Sequence, residues 1–209
     1  MLCPQAKSYP MDMNVVVPEQ ALSALRISND EAYWEFCAAN PDIRFERTAQ
    51  GEITIVPPAG MESEYRGTDL VGELRDWAKK DGRGLVVGSN TEFFLPNGAA
   101  RSPDAAWVSK ASLAKVAKDE RRKFPHLCPE FVVEVMSPSD RLKNAKEKMV
   151  EWMANGVQLG WLIDADRQTV YIYRANQSEP EKKTGIKKLT GEGPIAGFVA
   201  DLTEIWAGL

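Results

Sequence analysis

The chain has 209 residues, of which 44% are hydrophobic and 27% are charged, and its formal net charge is −4. This composition predicts a globular protein with a substantial core and excludes nucleic-acid binding through overall positive charge. No apolar run approaches the ~20 residues of a membrane span, and no secretory signal is recognisable. Three scattered cysteines and one histidine exclude a disulfide framework and a structural zinc site. We therefore expect a cytoplasmic protein.

The predicted elements follow from hydrophobic periodicity and from turn residues. A capping-box sequence at residues 28–31 opens a helix that ends at residue 39, and a hairpin comes next. Helices are predicted at residues 28–39, 62–80, 110–123, 141–154 and 201–206. Strands are predicted at residues 43–47, 52–56, 85–88, 91–95, 104–108, 131–135, 159–163, 169–173 and 187–189.

The order of these elements predicts the fold class α/β, or mixed α+β, with a central mixed sheet flanked by helices. An N-terminal helix and a β-hairpin precede the sheet. We expect residues 1–27 to form an N-terminal arm and residues 28–209 to form a single domain.

Two carboxylates stand out in this pattern. Asp104 begins one predicted strand, and Glu134 is the one charged residue in the apolar strand 131–135. An unpaired buried carboxylate is unfavourable, whereas two carboxylates on neighbouring strands can bind Mg²⁺, which prefers oxygen ligands and keeps several waters. The backbone carbonyl of Val135 is a natural third ligand. The plainer interpretation is that both acids lie at strand ends and face water.

The helix after Glu134 carries several basic residues. Lys146 and Lys148 flank its apolar stripe on opposite sides, and periodicity does not choose between them. Either could stabilise the charge that develops on a phosphate, although a helix lysine is more often a solvated surface group.

Five sequence segments together resemble the Uma-two family, a bacterial family of endonuclease-like proteins in the PD-(D/E)xK, or restriction-endonuclease-like, superfamily. The resemblance covers roughly residues 31–206, and the order and spacing of the segments are more specific than any one of them. The segments are LPNGAARSPDAAWV at 95–108, FPHLCPEFVVEVMSPSD at 124–140, EKM at 147–149, NGV at 155–157 and WLID at 161–164.

The resemblance implies residue roles. Asp104 matches the acid of the PD motif and Glu134 matches the second acid, so that both are implied metal ligands. Met136 stands where the common pattern has lysine. The family pattern implies that the lysine has moved onto the following helix, at Lys148. The superfamily often adds an acid from the helix before the sheet, and Glu64, Asp69 or Glu73 could serve. Glu73 is the choice because it flanks the apolar face of helix 62–80.

The function implied is an Mg²⁺-dependent (or Mn²⁺-dependent) nuclease that hydrolyses DNA phosphodiesters. We expect Arg141, Lys143, Lys146 and the loop 182–188 to contact nucleic acid. We expect a homodimer and no small-molecule cofactor. Two alternatives remain open: a catalytically inactive nucleic-acid-binding or regulatory module on the same fold, and a metal-dependent hydrolase of another substrate.

Overall fold

The computed structural model describes residues 25–209, so the predicted arm 1–27 lies almost entirely outside the described residues. The helices are α1 (Asp30–Ala39), α2 (Met61–Asp81), α3 (Lys110–Leu113), α4 (Leu142–Ala154) and α5 (Thr203–Ala207). The strands are β1 (Arg44–Arg47), β2 (Ile53–Val56), β3 (Gly84–Gly88), β4 (Phe93–Phe94), β5 (Ala100–Arg101), β6 (Ala105–Ser109), β7 (Phe131–Val135), β8 (Leu159–Asp164), β9 (Thr169–Arg174), β10 (Glu181–Thr184), β11 (Lys188–Thr190) and β12 (Val199–Asp201).

A six-stranded sheet in the order β10-β9-β8-β7-β6-β3 forms the centre of the fold. Strands β7 and β8 are parallel, while the other neighbours are antiparallel. A parallel pair needs a crossover connection, and α4 provides it. This β7–α4–β8 unit places α4 against the sheet directly beside the strand that carries Glu134.

The two faces of this sheet bury different helices. Leu70, Leu74 and Ala78, spaced four residues apart on α2, pack on one face. Met149 and Trp152 of α4 pack on the other. Since neighbouring residues of a strand point to opposite faces, each strand contributes to both cores, and even-numbered residues of β6 and β7 face α4.

A second, four-stranded sheet in the order β2-β1-β5-β4 contains the predicted hairpin. Its core includes Tyr33 of α1, and the single pair Arg47↔Ala100 joins the hairpin to β5. Strand β5 ends three residues before Asp104, so this pairing brings the hairpin to the edge of the central sheet. The position of β1 is therefore set by long-range pairing.

The structure corrects one predicted helix and adds strands that the sequence did not predict. The segment 110–123 is helical only at Lys110–Leu113 and in a 3₁₀ turn at Glu120–Arg122. Arg121 donates hydrogen bonds to two carbonyls of this segment, those of Leu113 and Val116, which satisfies groups that a continuing helix would use. The short strands β5, β10 and β12 were not predicted. The longest of them, β10, is a mostly exposed edge strand whose sequence EKKT lacks apolar alternation.

The predicted fold class is confirmed: the chain has a mixed α/β architecture with a central mixed sheet flanked by helices. Among residues 25–209, none of the helices has the length and apolar character that crossing a bilayer requires. The prediction of a single domain at residues 28–209 stays a prediction.

Candidate active site

Asp104 and Glu134 meet at the ends of two adjacent central strands. The antiparallel register pairs Ala105 with Val133, so one further step along the strands sets Asp104 opposite Glu134. Residues directly opposite on neighbouring strands have Cβ atoms about 4.5–5.5 Å apart. Even-numbered residues at this end of β6 and β7 point to the face that α4 covers. The two carboxylates therefore lie beneath α4.

Lys148 reaches these carboxylates from α4. Its Nζ lies 3.0 Å from Glu134 Oε1 and 3.2 Å from Glu134 Oε2, and it donates to the carbonyl of Ser102 at 2.9 Å. Lys146, by contrast, places its Nζ 4.3 Å from the ring centroid of Tyr171. Of the two lysines that periodicity left open, Lys148 is the one beside the acids.

Glu46 of β1 is a further member of this cluster and was absent from the sequence-based candidates. Its Oε1 lies 3.0 Å from Lys148 Nζ and accepts a hydrogen bond from the Ser102 amide at 3.1 Å. The sequence carried no signal for it, because the burial of Glu46 beside Arg47 is a property of the fold.

The structure does not bring Glu73 to the cluster. Its Oε2 accepts a hydrogen bond from the Asp201 amide at 3.0 Å, on the α2 side of the sheet. The acid that joins Asp104 and Glu134 comes from the hairpin, at Glu46, and not from α2.

Asp104 is held by the end of the neighbouring strand. Its Oδ2 accepts a hydrogen bond of 2.7 Å from the backbone amide of Val135. Val135 lines the same cleft as Glu134. Among residues 25–209, no group donates to the other oxygen of Asp104, so this oxygen is available to a cation.

Two side chains, the fully buried Trp152 and the half-buried Arg101, orient the acids. Trp152 is fully buried, and its indole Nε1 donates to Glu134 Oε1 at 2.8 Å. Arg101 donates to Glu46 Oε2 at 3.0 Å and to Glu151 at 2.6 Å. Because buried charge-assisted hydrogen bonds are strong and directional, these contacts restrict the carboxylates to one geometry.

The charges of the cluster perturb one another. The pKa of Glu134 is raised to about 7: burial has the largest effect, Lys148 opposes the rise, and the carboxylates of Asp104 and Glu46 add to it. Burial also holds the pKa of Asp104 above its usual value, against the effect of Lys148. Burial would raise the pKa of Glu46 as well, but Lys148 and Arg101 outweigh it and lower that pKa. Burial alone would lower the pKa of Lys148, yet the three carboxylates raise it.

An open cleft of about 420 Å³ gives access to the cluster. Glu46, Glu134 and Lys148 line it, together with the first turn of α4, where Arg141 is exposed. No side chain caps the start of α4, and free backbone N–H groups at a helix start favour anions.

The other predicted nucleic-acid contacts lie outside this cleft. Lys143 is exposed, with Nζ 3.8 Å from Glu147. The lysines of the loop 182–188 lie on or beside β10 and β11, and none of them lines the cleft.

The donor set fits a hard divalent cation. Carboxylate and carbonyl oxygens suit Mg²⁺, which is commonly held by one or two carboxylates while water and substrate phosphate complete its shell. Residues 25–209 contain no group of three His, Cys, Asp or Glu side chains placed to hold a metal ion.

Comparison with known proteins supports the fold and the family. The solved structure of a "putative nuclease belonging to DUF820" from Anabaena variabilis matches with a TM-score of 0.65 at 18% identity, over 78% of this chain and 89% of that one. No curated protein matches significantly. The model of the family Uma2, described as "Putative restriction endonuclease", matches residues 30–202. The chain belongs to the Uma2 family.

Proposed function

We propose that the chain is a divalent-metal-dependent nuclease that hydrolyses DNA phosphodiesters at the cluster of Glu46, Asp104, Glu134 and Lys148. The observation that carries the proposal is the convergence of Asp104, Glu134 and Lys148, which come from β6, β7 and α4. Membership of a family described as "Putative restriction endonuclease" supports the reaction class, although one fold can serve several functions.

Each side chain has a distinct role in this proposal. Asp104 and Glu134 would hold the cation with the Val135 carbonyl, and Glu46 would hold Lys148 in position. The Lys148 ammonium, which the carboxylates keep charged, would stabilise negative charge on the phosphate as the bond breaks. A bound Mg²⁺ or Mn²⁺ would supply polarisation of the phosphodiester and a lower pKa for the attacking water.

The cleft favours approach of a phosphate despite the acidic net charge. Arg141 and the start of α4 lie at its opening and attract anions. Lys143 and Lys146 lie on the same helix, one exposed and one half-buried, and would contact the backbone on either side. A homodimer and a cytoplasmic location stay predictions.

The test is cleavage of plasmid DNA with Mg²⁺ or Mn²⁺ by the parent and by Asp104→Asn, Glu134→Gln and Lys148→Met variants. We expect each substitution to lower the rate at least about a hundredfold, since removing one group that stabilises the transition state costs about that much. Asp119→Asn is the matched control, because Asp119 is exposed. Cleavage by Asp104→Asn and Glu134→Gln at the parental rate would refute the proposal.

A second candidate is a catalytically inactive nucleic-acid-binding module. The observation that favours it is the close pairing of Lys148 with Glu46 and Glu134, which compensates the carboxylate charges within the protein. Calorimetric titration with Mn²⁺ separates the two, because the inactive module would bind no cation at Asp104 and Glu134. A panel of duplex DNA, single-stranded DNA, RNA and a nitrophenyl phosphodiester would reveal a different substrate.

A further inference from the structure

A second cavity, of about 440 Å³, lies between α1 and β1; we name it the α1–β1 cavity. Its lining includes Arg44 and Phe45 of β1, Asn90 and Glu92 before β4, Ser102, and Phe124. Its volume lies in the range of small-molecule sites, about 300–1,000 Å³. Arg44 bonds to Ser89 and Glu92 bonds to Tyr33, and neither bonds to the cluster of Glu46, Asp104, Glu134 and Lys148, which we name the acid–lysine cluster.

Glu92 is the most informative of these groups. Only 4% of it is exposed, and its Oε1 accepts a hydrogen bond of 2.8 Å from the hydroxyl of Tyr33. Among residues 25–209, nothing donates to or accepts from the other oxygen, Oε2. This oxygen is not among the fully buried, unpartnered side-chain atoms of residues 25–209, so the protein does not enclose it completely. A ligand in the cavity that Glu92 lines would hydrogen-bond to it.

The protonation state of Glu92 defines which ligand groups it would hydrogen-bond. Burial raises the pKa of Glu92 to about 8, so at pH 7 the neutral acid predominates. A neutral carboxylic acid presents one donor and one acceptor side by side. It is complementary to a heterocycle edge with an adjacent donor and acceptor, which every nucleobase has.

The other lining residues favour an anionic, planar ligand. Arg44 donates one hydrogen bond, to the Ser89 carbonyl at 2.6 Å, and its remaining N–H groups suit a phosphate. This positive charge disfavours a cationic ligand. Asp42 also lines the cavity, but it is exposed and screened by solvent. Phe45 and Phe124 contribute aromatic surface of the kind on which unstacked bases pack.

The cavity adjoins the acid–lysine cluster through Ser102. Ser102 lines the cavity, while its amide donates to Glu46 and its carbonyl accepts from Lys148. Arg44 lies close enough to Asp104 for its charge to lower that carboxylate's pKa. A nucleotide with its base in the cavity would therefore hold its phosphate close to the cluster.

We propose that the α1–β1 cavity is a nucleobase site that takes one unstacked base of the nucleic acid whose phosphate lies at the acid–lysine cluster. The position of the phosphate rests on the proposed function, whereas the base site itself does not. Glu92 would bind the base edge, Phe124 would stack on the base, and Arg44 would contact the adjacent phosphate.

The first test is calorimetric titration of full-chain Asp104→Asn protein, without metal, with AMP, CMP, GMP, UMP and ribose 5-phosphate. We expect all four nucleotides to bind and ribose 5-phosphate to bind at least about tenfold more weakly, because base–aromatic stacking alone contributes roughly 5- to 150-fold. Equal binding of the nucleotides and ribose 5-phosphate would overturn the proposal.

The second test changes Glu92. Glu92→Gln keeps a donor beside an acceptor and should retain binding, whereas Glu92→Leu should weaken nucleotide binding about tenfold, at the lower end of the discrimination of a paired base edge. Glu35→Leu, at an exposed position of α1, is the control. A folded Glu92→Leu protein that binds nucleotides as tightly as the control would contradict the inference.

A further variant covers the case in which Glu92→Leu fails to fold. Arg44→Gln should weaken the binding of AMP about tenfold, as expected for loss of a charged phosphate contact, while adenosine binding stays unchanged. Equal losses for AMP and adenosine would refute the assignment of the phosphate to Arg44.

Because these titrations use no metal and no cleavage, nucleotide binding without nuclease activity in the parent would refute the proposed function alone. Cleavage without nucleotide binding would refute the base site alone.

Discussion

Replacement of Trp152 by phenylalanine tests whether the indole N–H holds Glu134. Trp152 is fully buried and donates to Glu134 Oε1 at 2.8 Å. At pH 8, above the pKa of about 7 of Glu134, the acceptor is charged. A hydrogen bond to a charged group contributes about 1.5–3 kcal/mol, and the smaller ring adds a packing loss.

Trp107 provides a matched control. It is buried too, but its Nε1 has no hydrogen-bond partner in the described part of the chain. Trp107→Phe therefore removes a similar ring volume without removing a hydrogen bond. We expect Trp152→Phe to lower the free energy of unfolding by about 1.5–3 kcal/mol more than Trp107→Phe.

The assay is urea unfolding at pH 8 with EDTA, monitored by far-ultraviolet circular dichroism. In thermal unfolding, the same difference corresponds to a Tm about 3–12 °C lower for Trp152→Phe than for Trp107→Phe, at about 2–4 °C per kcal/mol for a chain of this size. If the two variants unfold at the same urea concentration, the hydrogen bond does not stabilise the charged carboxylate, and Trp152 acts only through packing.

Three further predictions concern stability. His126, whose ring nitrogens lie 2.8 Å from Asp30 and from Glu120, has a raised pKa, chiefly through its hydrogen bond to Asp30. Protonated His126 stabilises the folded state below pH ~6.5, and this stabilisation is lost as the pH rises through the higher folded pKa. His126→Gln should therefore lower Tm more at pH 6 than at pH 9, and equal losses at the two pH values would refute this. Gly84→Ala should destabilise by over ~1 kcal/mol in urea unfolding, because its Cβ would lie 2.3 Å from the Trp107 ring. Gly72→Ala, with no atom within 4 Å in a helix, should instead stabilise by about 0.4–1 kcal/mol; a loss of stability would contradict the helical assignment.

The central elements were predictable because their signals are local. The apolar run of β7 ends where predicted, at Val135, and α2 shows the predicted stripe of Leu70 and Leu74. Strand β10 was not predictable, because an exposed edge strand needs neither apolar alternation nor a buried face. The segment 110–123 was wrongly predicted as one helix, since side-chain hydrogen bonds to its carbonyls compete with helix formation.

The residues of the candidate site also differ in how far local sequence patterns predicted them. Asp104 and Glu134 were indicated by single acids at the ends of apolar strands, a pattern that is visible along the chain. Lys146 and Lys148 were equivalent by periodicity, and the family resemblance favoured the residue that the structure places beside the acids. Glu73 looked suitable only because it flanks an apolar stripe. Its carboxylate instead accepts a hydrogen bond from the Asp201 amide.

The sequence by itself determined the β7–α4–β8 unit and the isolated acid within it, because strand and helix periodicity and a buried charge are properties of a single segment. Only the tertiary structure decided that Glu46 completes the cluster. That residue lies in a different sheet, and the pairing of Arg47 with Ala100 brings β1 to Ser102 and Lys148. Such a pairing depends on contacts between segments more than fifty residues apart, and no local pattern records it.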